Sequence, residues 1–85
     1  MIKKEDVIRE LREKFKSEIE ELTERIEEAL KNDPSAHEVK VDCSDFPNVV
    51  VKFVVNDFKD AGWEIEAGYT GFWRSRHEIT IDRRL

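Results

Sequence analysis

With 85 residues, 39% apolar and 41% charged, and a formal net charge of -5, the chain has room for one small domain with a single layer of helix on sheet. The acidic balance gives no broad basic face, which argues against duplex nucleic acid as a partner. One cysteine, Cys43, cannot close a disulfide within the chain, and no apolar run reaches the roughly 18 residues of a membrane span, so the expected setting is reducing, cytoplasmic and free of membrane.

Residues 5 to 31 carry Ile8, Leu11, Phe15, Ile19, Leu22, Ile26, Ala29 and Leu30 at steps of three and four, which predicts a long amphipathic helix with one narrow apolar stripe. Charges cover its other faces, and pairs such as Glu5 with Arg9 and Glu21 with Arg25 stand four apart, each worth a few tenths of a kcal/mol. Asn32-Asp33-Pro34-Ser35 ends it, because the residue before proline leaves helical space. Such a helix reaches roughly 40 Å, more than a small sheet covers. The excess stripe, at Leu11, Phe15, Ile19, Leu22 and Ile26, predicts a homo-oligomer, most simply a dimer.

HEVKVD, residues 37 to 42, alternates as a strand with Val39 and Val41 on one face. The next segment has the composition of a strand, VVVKFVV. On a helical wheel, however, Val50, Val51, Val54, Val55, Phe58 and Ala61 share one arc, with Lys52, Asn56, Lys59 and Asp60 opposite. Asp45 as a cap, Pro47 in the first turn and Gly62 at the end complete a helix over Asn48 to Ala61. WEIEA and RHEITI then alternate as two further strands. The predicted class is α+β: one domain, residues 1-85, with a long helix over 1-33 and a βαββ unit over 34-85 that forms a small three-stranded sheet.

The hairpin carries the candidate site, GYTGFWRSRH. Parity of the two apolar rows rules out a two-residue turn at Thr70-Gly71. A three-residue loop, Tyr69-Thr70-Gly71, would set Gly68 opposite Phe72, Ala67 opposite Trp73, Ile65 opposite Ser75 and Trp63 opposite His77. Arg74 and Arg76 would then face Glu66 and Glu64, so both arginines find carboxylates without a ligand. Tyr69, Phe72, Trp73, Arg74, Arg76 and His77 nonetheless gather aromatic and guanidinium groups at one tip, the usual anchors of protein and nucleotide contacts.

Elsewhere the chemistry is thin. His37 and His77 fall on inward-facing strand positions without metal-ligand spacing. Cys43-Ser44 has no histidine fixed beside it by sequence, and Asp42, Ser44 and Asp45 lack the length and glycine of a calcium loop. No catalytic residue, metal or cofactor is expected.

The charged amphipathic helix, the VKVD strand, the helix ending DAGW and the YTGFWRSR hairpin together resemble small bacteriophage proteins. The resemblance implies a non-enzymatic accessory protein that binds or inhibits a host protein partner. The alternative is sequestration of a nucleotide ligand, with Arg74 and Arg76 on phosphate and Tyr69, Phe72 or Trp73 stacked on a base.

Overall fold

The structure, a computed structural model, describes residues 1–32, 37–70 and 76–82. Helix α1 spans Lys4–Lys14, α2 Lys16–Asn32 and α3 Asn48–Asp60. Strands β1, β2 and β3 span Glu38–Asp42, Glu64–Thr70 and Arg76–Asp82. The class is α+β, with a three-stranded antiparallel sheet in the order β1-β3-β2. The two strands that flank α3 in sequence run parallel to each other, and the last strand lies between them as an antiparallel partner to both.

The long N-terminal helix expected as one element is interrupted at Phe15 (φ -104°, ψ 19°). The hydrogen-bond ladder still runs through the break, since the Phe15 N–H donates to Leu11 at 3.0 Å and the Ile19 N–H donates to Phe15 at 2.9 Å. The two halves are held by different partners. From α1, Arg12 donates both guanidinium nitrogens to the Asp57 carboxylate, at 2.9 and 3.2 Å, and lies 4.7 Å over the Phe53 ring. From α2, Leu22 and Ile26 are 0% exposed within the core, whereas α1 buries no residue.

Helix α3 confirms the wheel against the strand-like composition. Val50, Val51, Val54, Val55 and Phe58 are all buried. Each such burial contributes about 1.5–3 kcal/mol, well above valine's helix-propensity cost of about 0.7 kcal/mol or less. Phe53, outside the predicted arc, is buried under Arg12, and Ala61 is exposed. The N-cap is Pro47 without a side-chain cap bond, so Asp45 does not cap this helix. Its C-terminus closes as a Schellman turn, with the Trp63 N–H donating to Phe58 and the Gly62 N–H to Lys59, both at 3.0 Å. Gly62 takes φ +96°, which a side chain would strain.

The hairpin register differs from the one expected. Ile65 faces Ile81, Ala67 faces Ile79 and Gly68 faces Glu78, so the strands continue to Tyr69 opposite His77 and Thr70 opposite Arg76. The parity argument survives, since both apolar rows share a face. The short loop does not. Aligning Ile79 and Ile81 with Ala67 and Ile65 buries large side chains, while a longer loop costs only about 0.6 kcal/mol per doubling. The Glu66–Arg74 and Glu64–Arg76 pairs expected from the shorter loop are not those of this register, in which Glu66 faces Thr80 and Glu64 faces Asp82.

Both α2 and α3 cover the face that carries Val39, Val41, Ile65, Ile79 and Ile81, and with those residues they enclose the core. Among the described residues no polar or charged side chain is buried, and no helix is long and apolar enough to cross a membrane.

Candidate functional site

The loop from β1 into α3 is stitched to one residue of β3. The backbone N–H and the thiol of Cys43 both donate to the His77 carbonyl, at 2.8 and 3.2 Å. The His77 N–H in turn donates to Ser44 Oγ at 3.0 Å. These bonds prolong the β1–β3 ladder beyond Asp42 opposite Glu78 and fix the backbone that presents the His77 imidazole. On that imidazole lies the Tyr69 ring, with centroids 4.4 Å apart and planes 12° from parallel. The Tyr69 hydroxyl donates to Asn48 Oδ1 at 3.2 Å, at the start of α3. Tyr69 is thus 54% exposed yet held on one ring face and at its hydroxyl.

Of the six residues expected at the tip, the structure brings Tyr69 and His77 together. Phe72, Trp73 and Arg74 lie outside the described residues. Arg76 sits one position before His77, so it projects to the opposite side of the sheet, where its charge reaches Asp42. His37 is exposed at the end of β1 rather than packed inward. Asn48 belongs to the cluster, although nothing in its sequence context marks it.

Cys43 and Ser44 meet a histidine in space, but through its backbone, while the imidazole is taken up by Tyr69. Burial first, and then the charge of Asp42, push the Cys43 thiol from 9.0 up to about 11, which makes it a poor nucleophile. The unfolded chain ionises near 9.0 while the folded chain keeps the proton. The thiol's contribution to stability is therefore intact below about pH 9 and is lost as pH rises through about 11. Denaturation midpoints measured across that window should fall for the wild type and flatten in Cys43→Ser. Asp42 is held below the usual carboxylate range by its hydrogen bonds to Ser44, whose N–H reaches Asp42 Oδ1 at 2.9 Å, with Arg76 and Arg25 adding charge. Among the described residues no group of three or more potential ligands gathers to hold a metal ion.

A second feature adjoins Tyr69. Two depressions flank β2 and share Lys59 and Glu66: one of about 400 Å³ lies between the strand and α3, and one of about 560 Å³ is lined largely by Glu38, Glu64, Thr80 and Asp82 on the sheet face turned away from the helices. Together they extend from Tyr69 at one end of the strand to Trp63 just before its other end. The residues expected at an interface between copies divide into two sets. Leu22 and Ile26 are consumed by the chain's own core, which corrects their assignment, and Phe15 and Ile19 are half-buried against that core, while Leu11 is half-buried on α1, where Val7 is 39% exposed. Apolar periodicity alone could not separate these sets, because a helix stripe looks the same whether it meets its own sheet or another chain.

No family model, curated protein or solved structure matches the chain, so the reading of this site rests on its own geometry.

Proposed function

We propose that the chain is a non-enzymatic binding module that engages a partner protein at the hairpin end of its sheet, in the manner implied by its resemblance to small bacteriophage proteins that occupy host factors. The observation that supports this reading is Tyr69, an exposed aromatic already immobilised by His77 and Asn48. An anchor that is ordered before contact loses little side-chain freedom on binding, and aromatic anchors of this kind dominate interface energetics.

The nucleotide alternative is less well served by the described residues. One face of the Tyr69 ring is covered by His77, and Arg76 lies across the sheet from it, beside Asp42. A base stacked on Tyr69 and a phosphate held by Arg76 would not belong to one ligand. Self-association is a second part of the proposal, favoured by an α1 that buries no residue and leaves Val7 exposed.

The test is site-specific photo-crosslinking in cells, with p-benzoylphenylalanine placed at Tyr69 or, as a control, at exposed Lys31 near the end of α2. A discrete adduct from position 69 alone is expected, and Tyr69→Ala should weaken binding of the captured protein by at least about ten-fold, as for an interface anchor. Identical adduct patterns from both positions, or none from position 69, would overturn the proposal.

A further inference from the structure

The two edges of the sheet are treated differently. Along β1, Arg25 of α2 donates to the Asp42 carbonyl at 3.3 Å and lies 5.0 Å over the Phe46 ring, so this edge is partly covered. Along β2, among the described residues, β3 is bonded on one side and the trough between β2 and α3 lies open on the other. Seven residues of edge strand, roughly 23 Å, present unpaired backbone groups there.

The wall of the trough is a row on α3. Asn48, Lys52, Asn56 and Lys59 follow one another by one helical turn each and line it, over a floor that includes Val51, Val55 and Ala67. Among the described residues, neither Lys52 nor Lys59 has a carboxylate within ion-pair distance. On the opposite face of β2 the charges are reversed, at Glu64 and Glu66.

We infer that the open edge of β2 takes an extended segment of the partner protein as a fourth strand, one that carries carboxylates at alternate positions facing Lys52 and Lys59. This inference rests on the protein-binding reading above and names the chemistry of the segment bound. A strand added here must alternate its side chains between the two faces, so its helix-facing positions meet two lysines and its other positions meet two glutamates. Acidic residues on the first set and neutral or basic residues on the second complement both. A second copy of this chain is the poorer occupant. Edge-to-edge pairing about a two-fold axis perpendicular to the sheet would place the lysine rows of both copies on one side and the glutamates of both on the other. Tyr69, tied to Asn48, closes one end of the trough and thereby limits how far the segment extends toward the hairpin.

The experiment uses the full chain, labelled with nitrogen-15, and two capped peptides about eight residues long, matched to the length of the edge. One alternates threonine with glutamate and the other threonine with glutamine. The acidic peptide should shift the amides of β2 saturably and bind at least about ten-fold more tightly than the neutral one, with the preference reversed in the K52E/K59E double variant. N-methylation of alternate amides in the acidic peptide should abolish the shifts, because a fourth strand needs those donors. Equal binding of both peptides, or shifts untouched by N-methylation, would overturn the inference, as would β2 shifts that depend only on protein concentration and so mark a second copy. A Tyr69 adduct in cells without peptide binding at β2 would remove the fourth strand and keep the hairpin site. Peptide binding without that adduct would do the reverse.

Discussion

Leu22→Ala is expected to lower stability by about 2–5 kcal/mol, a large fraction of the roughly 5–15 kcal/mol available to a domain of this kind. Leu22 is fully buried on α2 and belongs to the core shared with β1, β3 and α3, so truncation leaves a cavity that its neighbours cannot close. The comparison that gives the result meaning is Leu11→Ala. Leu11 occupies the same sequence stripe, but on α1, where no residue is buried. Chemical denaturation should show Leu11→Ala within about 1 kcal/mol of the wild type, consistent with a half-exposed site. If α1 joins two copies, the same substitution should shift the sedimentation of the wild type toward the monomer. Equal losses of stability from the two substitutions would mean that α1 is as much a part of the core as α2.

The second large effect is expected at Ile81. It is 0% exposed at the centre of the sheet, directly between Val39 on β1 and Ile65 on β2. Ile81→Ala removes the side chain that joins all three strands on the core face, and should cost about 2–5 kcal/mol. Thr80, one position earlier, projects to the other face between Lys40 and Glu66. Thr80→Ala should stay well under about 1 kcal/mol. Thermal melting of the two variants side by side tests the register itself, because a slip of one residue would exchange the two effects.

How far the sequence could be read depended on whether the deciding force was local. The α3 helix was legible, because the wheel arc of Val50, Val54 and Phe58 and the glycine at its end agree against the strand-like composition. The three strands were legible from alternation, and so was the hairpin's parity. Its register was not, because loop closure is nearly indifferent to length and the choice fell to pairing Ile65 with Ile81. The break at Phe15 carries no glycine or proline. It falls where the grip of Asp57 and Phe53 on Arg12, some 45 positions distant in sequence, gives way to the core's grip on Leu22 and Ile26. At the candidate site, Tyr69 and His77 were legible as residues of interest, but their stacking depends on the register. The lysines of the trough could be read only as the polar side of a helix until β2 was placed beside them.

The order β1-β3-β2 also bears on how the protein emerges from the ribosome. The strands made first, β1 and β2, are not neighbours, and each finds its hydrogen-bonding partner only in β3. Until Arg76–Asp82 has been synthesised and released, the nascent chain holds two strands with an empty slot between them, and helical segments whose apolar faces have no finished sheet to cover. Folding of the sheet is thereby deferred until β3 has been made, since non-local pairing must await both partners. A chain stalled before Arg76 would expose Val39, Val41 and Ile65 together, which makes it a natural client for chaperones that recognise apolar strands.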